Sequence, residues 1–423
     1  MKALHYSALL KNKFTRNRRE DTLREAPKVV YILSFINNDG GLITKLARRY
    51  GRDFLLFYTS QMTDEAQRLK TLVNGEMRLM EYSHRELVIG SAFQLLEATR
   101  VIVADNYYPE FAALSTKVLS NDPALSTLKK GKHISDQSKE TNERSIIQIW
   151  HATGAIKCFG WGDPKTMLRN ASDRRRFQQV YDSFTDIVVG SEMMADIFKH
   201  SWRIPDVKFQ FLGTPRTDEL QPGMNNNRRY TDGRLASNNI RKQILYVPTY
   251  RDSITELEQI LTEIFRVFSR LAAKQKFIVK LHPHVMDQLS SERLISFVGS
   301  ENISLTDAPL IELIEKCDGL ITDYSSCVFD FMLRHPDAPY LFYCPDLQQY
   351  RKTTGIQDVF FQEMTARLAQ NQEELFTLLE SLGRTTDSLY LNTDDVAIRR
   401  RWHQYNDGNA VPRLMNLIAA RLE

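Results

Sequence analysis

The segment Trp150-His151-Ala152-Thr153-Gly154-Ala155-Ile156-Lys157 puts an imidazole where an apolar run ends, with a glycine and a lysine just beyond it. A neutral histidine can take a proton from an attacking hydroxyl near physiological pH, and the glycine lets the backbone approach an anion closely. The blander reading is a histidine hydrogen-bonded within the core. Lys280-Leu281-His282-Pro283-His284 sets two imidazoles around a strand-ending proline, with a lysine before them, and all three can donate to phosphate oxygens. Metal ligation is the competing use, but no carboxylate trio stands nearby.

Three further clusters also sit where apolar runs end. In Thr322-Asp323-Tyr324-Ser325-Ser326, an apolar run closes at Asp323 and two serines open a helical pattern. Hydroxyls, free backbone N–H groups and the positive end of a helix dipole make an anion site there, whereas an ordinary N-cap needs only one serine. In Gly213-Thr214-Pro215-Arg216, the arginine can reach a phosphate bidentately, or the turn is simply a hinge. In Tyr246-Val247-Pro248-Thr249-Tyr250-Arg251, Thr249 and Arg251 can meet a phosphate or ribose, or merely end a strand.

The elements that must position these clusters alternate along the chain. Strands are expected at Val29–Ile36, Phe54–Tyr58, Arg100–Asn106, Ile146–His151 and Ile187–Gly190, with helical patterns such as Glu86–Thr99 and Tyr108–Leu119 between them. Beyond an Asn- and Arg-rich stretch come Ile244–Thr249, Lys276–His282, Ile303–Thr306, Gly319–Asp323 and Pro339–Tyr343, interleaved with helices at Ile254–Lys274, Leu310–Lys316, Ser325–Arg334 and Gln372–Leu382. Continuous apolar strands alternating with helices mean parallel sheets covered on both faces. The expected organisation is a basic leader (1–27), an α/β domain (28–221), a linker (222–242) and a second α/β domain (243–423). Two doubly wound domains facing each other leave a cleft at the carboxyl ends of their strands, where all five clusters fall.

Composition narrows the class. The 423 residues suit two domains, and 42% hydrophobic with 26% charged residues is ordinary for a globular protein. A net charge of +4 is too mild to imply nucleic acid, and the basic residues are not interleaved with aromatics. Basic clusters do occur at Lys2, Lys11, Lys13, Arg16, Arg18 and Arg19, at Arg174–Arg176 and at Arg399–Arg401; with Leu9, Leu10 and Phe14, the first suits an anionic membrane surface or a solvated leader. No apolar stretch is long enough to span a membrane and no signal peptide is evident, so a cytoplasmic protein is expected. Cys158, Cys317, Cys327 and Cys344 form no C-x-x-C pair and read as buried free thiols, with no metal expected.

Taken together and in order, the five clusters resemble the CDP-glycerol glycerophosphotransferase family of teichoic-acid synthesis. Similar stretches at Tyr340–Arg351 and Asp407–Ala410 extend the likeness to roughly residues 28–415. The resemblance implies a GT-B-like pair of Rossmann-like domains, with the donor held mainly by the second. It implies His151 as the base for the acceptor hydroxyl. It also implies that His282, and His284 beside it, stabilise the donor pyrophosphate, that Ser325 and Ser326 bind phosphate and that Asp323 supports their loop. Thr153, Lys157, Arg216, Thr249, Arg251 and Lys280 complete the expected substrate-binding set. Many members carry glycine where this chain has Ala152. The implied reaction moves glycerol phosphate from CDP-glycerol to a lipid-linked wall glycopolymer at the inner membrane face, with no cofactor and with CMP as product. CDP-ribitol as donor, a nucleotide-sugar glycosyltransferase and a non-catalytic scaffold are the alternatives; a scaffold has no need of the two imidazoles. The lack of a long appended domain leans towards a primase rather than a polymerase.

Overall fold

The computed structural model describes residues 26–114, 143–221, 242–251, 253–289, 292, 301–384 and 393–423. The expected leader and linker lie almost wholly outside them.

Two parallel sheets form the framework. The first contains β1 (Val29–Leu33), β2 (Phe54–Tyr58), β3 (Arg78–Glu81), β4 (Val101–Ala104), β5 (Ser145–Gln148), β6 (Asp186–Val188) and β7 (Phe209–Gln210). Their spatial order is β3-β2-β1-β4-β5-β6-β7. The second contains β8 (Lys242–Val247), β9 (Gln275–Val279), β10 (Ile303–Leu305), β11 (Gly319–Thr322), β12 (Tyr340–Tyr343) and β13 (Leu368–Ala369), in the order β10-β9-β8-β11-β12-β13. Every pairing is parallel. β1, β2 and β4 are buried along their whole length, as strands covered by helices on both faces must be. In each sheet the order reverses beside its first strand, between β1 and β4 and between β8 and β11, which opens a crevice at the carboxyl ends. This is the expected GT-B-like architecture of two Rossmann-type halves.

The strands end one to three residues before the apolar runs do. Ser34, Phe35 and Ile36 leave the ladder after β1, Asp105 leaves after β4 and Ile149 to His151 leave after β5, so these residues line the crevice instead of extending the sheet. The helix expected over Glu86–Thr99 is two helices, His84–Ile89 and Ser91–Ala98. They part at Gly90, where a Cβ would lie 2.8 Å from the Glu86 Cα. Of Tyr108–Leu119, the described part is a 3-10 turn at Pro109–Ala113. The helix expected from Ser325 begins at Cys327.

The last helix, Ala410–Leu422, packs on the first sheet: Val411, Leu414, Met415 and Ile418 are buried with Val29, Tyr31, Val101 and Val103. Asp218 anchors it, accepting the N–H of Ala410 (3.0 Å) and of Val411 (2.8 Å). A further apolar cluster is continuous across both halves, joining Ile156 and Trp202 to Tyr324, Phe329 and Tyr350. Among the described residues no helix is long and apolar enough to cross a membrane.

Candidate functional site

His151 follows β5 and is half-buried. Its ring stacks on Phe35, with centroids 4.3 Å apart and planes 21° apart, and packs against Trp150 at 4.2 Å. Trp150 takes φ = 57°, a left-handed turn that throws the chain out of the sheet. The His151 Nδ1 faces the carbonyl oxygen of Asp105 at 3.3 Å. A carbonyl only accepts, so Nδ1 carries the hydrogen and the Nε2 lone pair is left to act as a base. Burial pushes the imidazole pKa down to about 4, an effect that the neighbouring Arg216 charge reinforces, so the ring is neutral at physiological pH.

Arg216 does not stand open to solvent. One guanidinium nitrogen donates to the His151 carbonyl at 2.8 Å, and the other reaches the Asp330 carboxylate at 2.6 Å. Thr153 donates to the other Asp330 oxygen at 2.5 Å. Asp330 belongs to the helix Cys327–Arg334, the one that Ser325 and Ser326 precede. One carboxylate of the second half therefore holds Thr153 of the His151 loop directly and the His151 carbonyl through Arg216. Beside it, a Cβ on Gly154 would sit 2.4 Å from the Phe329 ring, so the glycine lets this loop lie against the same helix.

The second half contributes the polar end of that helix. Asp323 is buried and accepts the N–H groups of Thr249 (2.8 Å) and Tyr324 (2.6 Å), fixing the loops after β8 and β11. The Ser325 Oγ accepts the N–H of Cys327 at 3.4 Å, and the side chain of Ser326 caps nothing. The Thr249 Oγ1 is buried with no hydrogen-bond partner among the described residues. A buried hydroxyl without a partner costs stability, which suits a position that a ligand completes. Lys157 lies near Asp323 and Cys327, is half-buried, and forms no ion pair among the described residues. Burial lowers its pKa, and the Asp323 carboxylate opposes that shift.

Arg251, expected to meet phosphate, is committed elsewhere. It is buried against Asp323 (2.9 Å) and Asp346 (2.8 Å), and lies over the stacked rings of Tyr324 and Tyr350. Those carboxylates hold its pKa above the usual arginine value despite burial. Lys280 donates to the Asp307 carbonyl at 3.2 Å. His282 is exposed after β9, 5.6 Å from the Tyr250 ring. His284 lies in the short helix Pro283–Gln288, with its side chain outside the described residues. The structure thus brings His151, Thr153 and Arg216 together through Asp330, and groups Thr249, Arg251 and Asp323 around the second crevice. Asp330, Phe35 and Asp105 were not singled out from the sequence; a charged residue closing an apolar run, as in Val101-Ile102-Val103-Ala104-Asp105, was the available signal.

Comparison with known proteins gives this geometry a context. The family model described as CDP-glycerol:poly(glycerophosphate) glycerophosphotransferase matches residues 55–420. A teichoic acid glycerol-phosphate primase of Bacillus subtilis (strain 168) is 29% identical over 395 residues, covering 92% of this chain and 91% of the relative. The enzyme of the same name from Bacillus spizizenii is 31% identical, covering 78% of this chain and 76% of its own. Among solved structures, the wall teichoic acid polymerase TagF superposes with a TM-score of 0.67 at 18% identity, covering all of this chain and 98% of that one, a likeness of fold.

Proposed function

The chain belongs to the CDP-glycerol:poly(glycerophosphate) glycerophosphotransferase family, and we propose that within it this enzyme acts as a primase, adding one glycerol phosphate from CDP-glycerol to a hydroxyl of a lipid-linked glycan. In the reaction, the acceptor oxygen attacks the phosphorus that bears the glycerol. Its proton passes to Nε2 of His151, and the bond to the bridging oxygen breaks with its electron pair leaving on CMP. Positioning and charge stabilisation carry most of such a transfer, and an imidazole base adds roughly 10²–10⁴-fold.

The observation that carries this reading is the Asp330 link between the His151 loop and the helix that Ser325 and Ser326 precede, with Lys157 and the unpartnered Thr249 Oγ1 near the Asp323 that leads into it. The pyrophosphate would lie at that helix end, where backbone N–H groups and the dipole favour anions. His282, His284 and Lys280, at and after the end of β9, would supply further donors to it. Arg251 and Asp323 would hold the loops rather than the substrate. The primase assignment draws on relatives of that name matched over most of both chains.

Peripheral binding to the inner membrane face completes the proposal. Met167 (58% exposed) and Leu168 (87% exposed) protrude from the turn Pro164–Leu168, with Lys165, Arg169, Arg174 and Arg175 close by in the chain. Apolar tips rimmed by basic residues suit an anionic lipid surface.

The test is CMP release from CDP-glycerol and from CDP-ribitol with a lipid-linked disaccharide acceptor, followed by mass analysis of the product. Acceptor-dependent release from CDP-glycerol with one unit added is expected. Release from CDP-ribitol alone, or long products, would overturn the donor or the primase assignment respectively.

A further inference from the structure

One buried carboxylate has no part in the reaction as described. Asp105 follows β4 at the point where the first sheet's order reverses, and it is fully buried. Its carboxylate accepts the main-chain N–H of Ser34 (3.1 Å) and of Phe35 (3.2 Å), and the Tyr108 hydroxyl at 3.3 Å. The Ser34 and Tyr108 hydroxyls lie 2.5 Å apart. The same residue's carbonyl accepts from Nδ1 of His151, and Phe35, which the carboxylate tethers, is the ring stacked on that imidazole.

The second sheet offers an internal comparison. There, Asp323 follows β11 and accepts the N–H of Thr249 after β8, the same relation that Asp105 after β4 has to the loop after β1. Asp323, however, has Arg251 as a counter-ion. Asp105 has no ion pair among the described residues, and burial pushes its pKa up to about 7. Burying a carboxylate without a cation is costly, and tying down a loop needs only a neutral acceptor. His151 meets Asp105 at its main-chain carbonyl, while the carboxylate faces the Ser34 and Phe35 N–H groups and the Tyr108 hydroxyl.

We propose that Asp105 is the positioning residue for His151: its carbonyl sets the imidazole's edge and tautomer, while its carboxylate anchors the loop that lays Phe35 flat on the ring. The inference rests on His151 being the base, but its structural content can be read separately. A base held from edge and face presents Nε2 in one direction, and a misplacement of about 1 Å can cost on the order of 10²-fold in rate.

The experiment uses the full chain with 15N-labelled histidine, His151→Ala serving to assign the ring signals. In wild type, His151 is expected as the Nδ1–H tautomer. Asp105→Ser should lower kcat about 10- to 100-fold with the CDP-glycerol KM changed less than about threefold, and should lose the single tautomer. Phe35→Ala should act in the same direction. Asp105→Asn keeps an acceptor of the same shape and should recover most of kcat and the tautomer. A folded Asp105→Ser protein with wild-type kcat and an unchanged His151 tautomer overturns the proposal. If that variant does not fold, Phe35→Ala with wild-type kcat and tautomer does so. Full activity in His151→Ala would sink the base assignment instead, whatever the tautomer results show.

Discussion

Replacing Asp330 by asparagine removes one charge and leaves the shape. The Asp330 side chain is 5% exposed and its partner Arg216 is 22% exposed, so the pair is only partly screened. Asparagine can still accept from Thr153, but its amide cannot accept from the guanidinium. The loss is therefore one charge-assisted hydrogen bond, worth about 1.5–3 kcal/mol. At 1.36 kcal/mol per tenfold, that corresponds to roughly 10- to 150-fold. Because Arg216 also holds the His151 carbonyl, a good part of this loss should appear in kcat, about tenfold or more, with donor affinity little changed. Steady-state CMP release, donor titration by calorimetry and thermal melting of Asp330→Asn and Arg216→Gln separate the effects. The double variant should lose less than the sum of the two, since both remove one contact. Unaltered kcat in an Asp330→Asn protein that melts lower would show that the pair merely packs the halves together, and the coupling argument would fail.

Other consequences follow from the same geometry. His151 must be neutral to act, and burial sets its pKa at about 4 in the free enzyme, so kcat/KM should fall only as the pH drops towards that value. Bound pyrophosphate favours the protonated ring, so the acid limb of kcat should lie at higher pH than that of kcat/KM; coincident limbs near 6.5 would contradict the described burial. Arg251→Met strands Asp323 and Asp346 without their cation and should cost about 3–5 kcal/mol in denaturant unfolding, with a loss below about 1 kcal/mol counting against a buried triad. Thr249→Val removes the unpartnered hydroxyl and should leave stability unchanged or improved while raising the CDP-glycerol KM; an unchanged KM would remove Thr249 from the anion site.

Much of the framework was legible because parallel strands buried on both faces read as unbroken apolar runs, as in Phe54–Tyr58 and Tyr340–Tyr343. The ends were less so. Apolar Ile36 and Ile149 extend their runs past the ladder, since hydrophobicity does not distinguish a residue in the sheet from one packed at its rim. β3, β7 and β13 span only two to four residues, too few for a period to register. The return of Ala410–Leu422 to the first sheet depends on Asp218, nearly two hundred positions earlier, and no local pattern carries that information. At the site, His151 and the Ser325-Ser326 helix end stood out by residue type. Arg216 and Arg251 did as well, but type alone cannot tell an arginine awaiting phosphate from one already held by Asp330 or by Asp323 and Asp346. Only the fold supplies those partners.

The most direct test of the account is acceptor-dependent CMP release by His151→Ala, measured alongside CDP-glycerol binding. The variant should fold, bind donor with near-normal affinity and release CMP at least about a hundredfold more slowly. Release at the wild-type rate would contradict it.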